Sequence, residues 1–185
     1  MKKLIYLLAV GSTLLACKTP EARRPVSQST STSFSQATIE RNRALNAADE
    51  IAIKDVIAAR PDVNFIASEN GFWYYYNVKD TLSTTTPETG DLVSFNYDLK
   101  KLDGTVLVSQ EELGTETYQI EQSNQELISG LRDGLKLMKA GETVTFLLPS
   151  HKAYGYYGLD NKIGSNVPLM STVTLNTIEP KTTEN

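Results

Sequence analysis

From Gly71 onward, apolar and polar positions alternate in short runs. In "DLVSFNYDL", Val93, Phe95, Tyr97 and Leu99 fall on one side and Ser94, Asn96 and Asp98 on the other. That is the period-two pattern of a strand with one wet face. "GFWYYYNV" alternates two aromatic faces, and "TVLV", "TVTFLL" and "TVTLNTI" add three runs rich in β-branched residues. Asp103-Gly104, just before "TVLV", marks a tight hairpin turn. The pattern predicts about five antiparallel, half-buried strands, which need an apolar cover.

The period shifts to that of a helix in two places. "SNQELISGLRDGLKLMKAG" opens with Ser123 three residues before Glu126, a capping box, and closes with Gly141, suited to a left-handed cap. Leu127, Ile128, Leu131, Leu135 and Met138 form one apolar face, with Arg132, Lys136 and Lys139 opposite. Gly130 and Gly134 flank that face. Each costs a helix about 1 kcal/mol against alanine, so the pair predicts close approach of the helix backbone to the sheet. Antiparallel strands over one helix make an α+β fold.

The second helical stretch, "IERNRALNAADEIAIKDVIAAR", predicts an N-terminal helix over 39–60, ended by Pro61. Leu45, Ala48, Ala52, Val56 and Ala59 form a modest apolar stripe. Such a helix can pack on the domain or make a homodimer with a copy of itself, and the pattern fits both. Before it, "SQSTSTSFSQAT" is too polar to bury a core, and residues 17–38 are expected to be a flexible tether.

The chain opens "MKKLIYLLAVGSTLLAC", two lysines, an apolar run and then small and apolar residues up to Cys17. This is the layout of a signal peptide over 1–16, too short for a spanning helix. Leu14-Leu15-Ala16-Cys17 resembles the lipobox of bacterial lipoproteins. That resemblance implies cleavage before Cys17, lipid on its sulfur and a membrane anchor in the cell envelope. No aspartate follows Cys17, which favours the outer membrane, facing the periplasm.

Charge and cysteine content narrow the picture. Removing Lys2 and Lys3 from 18 basic residues leaves 16 against 22 acidic ones. An acidic chain without basic clusters argues against nucleic acid as a partner. Cys17 is the one cysteine, so the domain has to fold without disulfides, on a hydrophobic core.

The loop "PSHKAYGYYG", Pro149 to Gly158, holds three tyrosines and the chain's one histidine. His151 lies near no nucleophile in a hydrolase-like setting and reads as a surface residue. The tyrosines must fold back on the core or line a pocket.

The order of strand, Asp-Gly hairpin, helix "QELISGLRDGLKLMKAGE", strand, "AYG" loop and final strand after "NVP" resembles the FK506-binding (FKBP) family of peptidyl-prolyl isomerases. The lipobox, the serine-rich tether and "AYGYYG" are further similar to the gliding-motility-associated isomerase lipoproteins. The resemblance implies an FKBP-like half-wrapped sheet over 66–180, an apolar cavity between sheet and helix, and no cofactor. It implies, as partners, proline-containing unfolded or nascent exported proteins, with a non-catalytic peptide-binding module or chaperone as the alternative.

Carried over by motif, Tyr97, Leu107 and Tyr118 would be walls of the cavity. Leu127 and Ile128 would enter the helix, with the Ile128 amide facing substrate, and Leu131 would be the floor. Ala153 and Tyr154 would come from the aromatic loop as a lid, and Val167 and Leu175 would close rim and back. Val108 stands where many catalytic members have an aspartate, and Leu107, Leu131 and Leu175 stand where rings are common.

If Cys17 carries lipid, Cys17→Ser is expected to release the protein into the soluble fraction. A serine variant as membrane-bound as the parent in fractionation would refute the anchor.

Overall fold

The computed structural model describes residues 29–121 and 127–181. The chain divides into two compact units, Met1–Thr38 and Ile39–Asn185. Cys17, the signal layout and the first part of the expected tether lie outside the described residues, as does the Ser123–Glu126 capping box.

Helix α1 spans Ser29–Ala58, so it starts within the serine-rich stretch expected to be a spacer. Serine, threonine and glutamine cost a helix only tenths of a kcal/mol each, and adding residues to an existing helix avoids the costly nucleation step. No helix among the described residues is long and apolar enough to cross a membrane.

The second unit is built on one antiparallel sheet. Its strands are β1 (Ile66–Ala67), β2 (Trp73–Val78), β3 (Leu92–Tyr97), β4 (Leu99–Lys101), β5 (Val106–Val108), β6 (Glu116–Gln119), β7 (Thr143–Leu148) and β8 (Leu169–Glu179). The main path runs β1-β2-β7-β8-β3-β6, with β4 paired to both β5 and β8. Eight strands replace the expected five or so. β1 and β6 are too short to show an alternation, and the run through Leu99 breaks at Asp98. There the Asp98 carbonyl accepts from Ser171 Oγ at 2.7 Å, and its carboxylate accepts from the Thr172 amide at 3.0 Å. The predicted facing survives the break, since Val93, Phe95, Tyr97 and Leu99 are all buried. The hairpin is as expected, with Gly104 at φ +91° and the Thr105 amide donating to Asp103 Oδ1 at 2.8 Å.

Two short helices complete the unit, α2 (Gln110–Leu113) and α3 (Ser129–Leu135). α3 starts later than expected because Ile128 has ψ 144°, an extended backbone that cannot lie inside a helix. Leu127 and Ile128 therefore precede the helix. It ends at Leu135 with Lys136 as its cap, and Gly141 (φ +85°) instead serves the turn into β7. Even so, α3 covers the inner face of the sheet, where Leu131, Leu135 and Met138 pack with Phe72, Phe95, Val144, Phe146, Leu148 and Val173.

The opposite face is not simply wet. Threonines pair across it, Thr143 with Thr174 at 3.0 Å and Thr145 with Thr172 at 3.2 Å. Beside them α1 sets Ile53 against Leu147 and Met170, with Val56, Ile57, Phe65 and Trp73 around it. Fully burying Ile53 is worth about 1.5–3 kcal/mol. The packed stripe of α1 is thus Leu45, Asp49, Ala52, Ile53, Val56 and Ile57, while Ala48 and Ala59 are exposed. The expected stripe missed its true centre because Asp49, an acid, sits in it.

The close approach predicted by the two glycines of α3 is present. A Cβ on Gly130 would lie 2.6 Å from Leu148 Cδ2 and 3.0 Å from the Lys152 carbonyl oxygen. One on Gly134 would lie 2.7 Å from the Phe146 ring. Helix propensity favours Gly134→Ala by about 1 kcal/mol, but forcing a methyl into a packed core costs about 1–3 kcal/mol. Gly134→Ala is expected to unfold at lower denaturant concentration than the parent. Equal or greater stability would contradict the contact.

Candidate functional site

The candidate side chains named from the sequence come from separate elements of the second unit. Tyr97 ends β3, Leu107 lies in β5 and Tyr118 in the edge strand β6. Leu127 and Ile128 lead into α3, which contributes Leu131. Ala153 and Tyr154 follow a 3₁₀ turn over Ser150–Lys152, Val167 precedes β8, and Leu175 lies within it. All belong to, or pack against, a single apolar cluster. Leu131 and Leu175 are fully buried, while Tyr97 and Ile128 keep a trace of exposure. Leu107, Tyr118, Leu127, Ala153, Tyr154 and Val167 are half-buried at its border.

Local backbone explains how these chains converge. In the β4–β5 ladder Leu99 pairs with Val108 and Lys100 with Val106, so Leu107 is the extra residue of a bulge. Bulges re-aim side chains, and here adjacent Leu107 and Val108 both reach the cluster. Val108 is buried, so the position of the missing aspartate is an ordinary apolar core position. β6 pairs with β3, Tyr118 opposite Val93, and presents Tyr118 beside the core. The Ile128 carbonyl accepts from the Leu131 and Arg132 amides at 3.1 Å each, which fixes the bend into α3.

The aromatic loop is tied down at several points. The Ser150 carbonyl accepts from the amides of Ala153 (3.0 Å) and Gly155 (2.9 Å), on either side of Tyr154. The Gly155 carbonyl accepts from the Asn166 amide at 2.7 Å, and Lys152 Nζ meets Asp133 Oδ2 of α3 at 3.1 Å. Gly158 (φ +68°) has no room for a side chain, as its Cβ would lie 2.3 Å from the Ile163 carbonyl oxygen. Only the first part of the loop folds back as expected. Tyr154 packs on the core, whereas Tyr156 and Tyr157 are 65% and 93% exposed and stack edge-to-face at 5.7 Å. His151 is exposed, as read from the sequence.

Burial keeps the two phenols of this border, Tyr97 and Tyr154, neutral. Burial first, then the neighbouring Tyr154 and Glu116, push the Tyr97 hydroxyl up to about 12. Burial also raises Tyr154. Both phenols therefore keep their protons and can donate hydrogen bonds at any physiological pH. Among the described residues no group of acids, histidines or cysteines is placed to hold a metal. A recess of about 410 Å³ lies elsewhere, lined by Asp62, Val63, Asn64, Ile66, Tyr75, Tyr76 and Lys79. It contains none of the candidate residues.

The family model for FKBP-type peptidyl-prolyl cis-trans isomerases matches residues 83–176, a segment that holds all of these candidate side chains. The chain belongs to the FKBP family. It is 30% identical over 111 residues to peptidyl-prolyl cis-trans isomerase FKBP9 of Homo sapiens, covering 55% of this chain and 19% of that protein. It is 33% identical over 101 residues to outer membrane protein MIP of Legionella longbeachae, covering 54% of this chain and 42% of MIP. The chain thus matches less than half the length of either relative. The crystal structure of FkpA from Escherichia coli shares the fold, with a TM-score of 0.59 and 21% identity over 98% of this chain and 83% of that one.

Beside the candidate residues, the sequence reading placed Phe95, whose ring centroid lies 5.6 Å from that of Tyr97, only on the apolar face, and it passed over the buried pair Asp49 and Ser150. The first was legible as a core position. An acid at helical spacing between Leu45 and Ile53 was the available signal for the second.

The raised Tyr97 hydroxyl has a consequence for stability. Its folded-state value lies above the ordinary tyrosine value near 10, so this contribution is intact below about pH 10 and is lost as pH rises toward 12. An alkaline absorbance titration of Tyr97→Phe is expected to lose the last tyrosine step, near pH 12, relative to the parent. Loss of a step near the ordinary value would contradict the buried, neutral phenol.

Proposed function

We propose that this domain catalyses cis–trans isomerisation of X–Pro bonds, with the proline ring held among Tyr97, Leu107, Tyr118, Ile128, Leu131 and Tyr154. The observation that carries the reading is the convergence of these residues, from separate elements, on one apolar border with two neutral phenols. Leu127, Ala153, Val167 and Leu175 complete its wall, rim and back.

The chemistry asks little more than such a place. Rotation about an X–Pro bond faces a barrier of roughly 18–20 kcal/mol because amide resonance must be broken. The twisted amide is less polar than the planar one, so a dry apolar wall favours it by differential binding. Tyr154 would donate a hydrogen bond to a peptide carbonyl, and the Ile128 amide would face the substrate. No nucleophile or acid–base pair is required, and an exposed His151 fits that scheme.

The substrates we infer are exported polypeptides of the cell envelope, gliding-machinery proteins among them, met by a domain anchored through Cys17. The lipobox-like Leu14–Cys17, the "AYGYYG" loop and the likeness to outer membrane protein MIP support that setting. Pairing of two copies through α1 is compatible with the exposed face that helix keeps. A second reading, a peptide clamp without catalysis, is favoured by one observation, the buried Val108 in place of an aspartate.

A protease-coupled assay on Phe-Pro and Leu-Pro peptides separates the two readings. Acceleration over the uncatalysed rate is expected, and Tyr154→Phe should reduce kcat/KM about fivefold, the equivalent of one hydrogen bond worth about 1 kcal/mol. No acceleration by a folded wild-type protein that still binds unfolded chains would overturn the isomerase reading in favour of the clamp.

A further inference from the structure

Helix α1 lies outside the segment that matches the family, yet it reaches the candidate site. Asp49 is 6% exposed, in the middle of the helix face that packs on the sheet. One of its oxygens, Oδ2, accepts both the Ser150 amide at 2.8 Å and the Ser150 hydroxyl at 2.6 Å. A buried carboxylate is tolerated only when it is well hydrogen-bonded, so this contact holds the two segments in one register. Ser150, 3% exposed, is in turn the residue whose carbonyl accepts from Ala153 and Gly155, the neighbours of Tyr154. The link from Asp49 to the peptide units on either side of the Tyr154 ring thus passes through one residue.

The other supports of that loop come from elsewhere. Ser129 Oγ donates to the Lys152 carbonyl at 3.4 Å, and Lys152 Nζ pairs with Asp133, both from α3. They fix the turn against the helix below it. Asp49 fixes the start of the turn from the opposite side of the sheet, immediately after Pro149.

We propose that Asp49 is a positioning residue of the site, which through Ser150 sets where Ala153 and Tyr154 stand over the apolar wall. Helix α1 is then a working part of the site, and not only a connection or a cover for Leu147 and Met170. The proposal rests on the isomerase reading for its kinetic consequence, but its structural consequence can be read without activity.

The experiment compares three variants of the full chain. Asp49→Ala removes the acceptor. Asp49→Asn keeps one oxygen for the two donors that converge on it, and Ile53→Ala loosens the same helix one turn on without touching the carboxylate. Misplacing a substrate-contacting group is expected to lower kcat/KM of Asp49→Ala on the order of tenfold to a hundredfold, mainly in kcat. Asp49→Asn should recover most of it, and Ile53→Ala should lower Tm with kcat/KM unchanged. The NMR signals of the Tyr154 ring, assigned by their loss in Tyr154→Phe, should shift in Asp49→Ala and stay in place in Ile53→Ala.

If Asp49→Ala merely lowers Tm, as Ile53→Ala does, with the ring signals and kcat/KM of the parent, Asp49 is a helix anchor and the proposal falls. If the parent itself has no isomerase activity, the isomerase reading falls, and the ring signals alone decide the role of Asp49. Should Asp49→Ala not fold, a parent-like ring position and kcat/KM in Ser150→Ala together with loss of both in Asp49→Asn would overturn it. Recovery in Asp49→Asn supports it.

Discussion

The second unit depends on how closely a seven-residue helix can lie on a twisted antiparallel sheet. α3 is too short to cover the inner face with its side chains alone. Gly130 and Gly134 let its backbone rest on Leu148 and Phe146, so Leu131, Leu135 and Met138 drop between the strands and not above them. Two glycines in so short a helix cost local stability, roughly 2 kcal/mol by propensity. Close packing with large apolar groups on β7 and β8 offsets it. The same approach buries Leu131 completely in the apolar cluster that Ile128 and Tyr154 also join.

Three of the side chains at the border of this cluster are placed by departures from regular structure. Leu107 reaches it through a bulge, Ile128 through an extended residue just before a helix, and Tyr154 through a loop held at both ends. Irregular backbone is where side chains can be aimed independently of sheet and helix periods. The regular parts supply the rigid base, with β3 and β8 placing Tyr97 opposite Val173 and Leu175 opposite Phe95. The departures supply the shape. On the proposed reading, such a border would favour a twisted, less polar amide by differential binding.

Much of this was legible from period alone. The alternation around Val93–Leu99, the Asp103-Gly104 hairpin and the meaning of the paired glycines need only local rules, and the structure agrees with each. The site residues came from motif resemblance, and they converge because the family order of elements is kept. What local rules could not reach were contacts between distant segments. β1 and β6 exist only as partners of longer strands, being too short to carry a pattern. The start of α3 depends on the turn at Ile128, not on the apolar spacing that runs through it. Asp49 looked like a polar interruption because its partner, Ser150, lies 101 residues away. Of the three loop tyrosines, the "AYG" resemblance picked out Tyr154, but local composition gave no sign that Tyr156 and Tyr157 would stay exposed.

The most direct test of the account is an NMR titration of the isotope-labelled protein with a short Leu-Pro peptide. Shifts are expected first at the amides around Tyr97, Tyr118, Ile128 and Tyr154, with the peptide's cis and trans prolyl signals exchanging far faster than the tens to hundreds of seconds of free peptide. Shifts confined to the α1 face near Ile53 and Leu147, or cis and trans signals that stay in slow exchange at saturation, would contradict it.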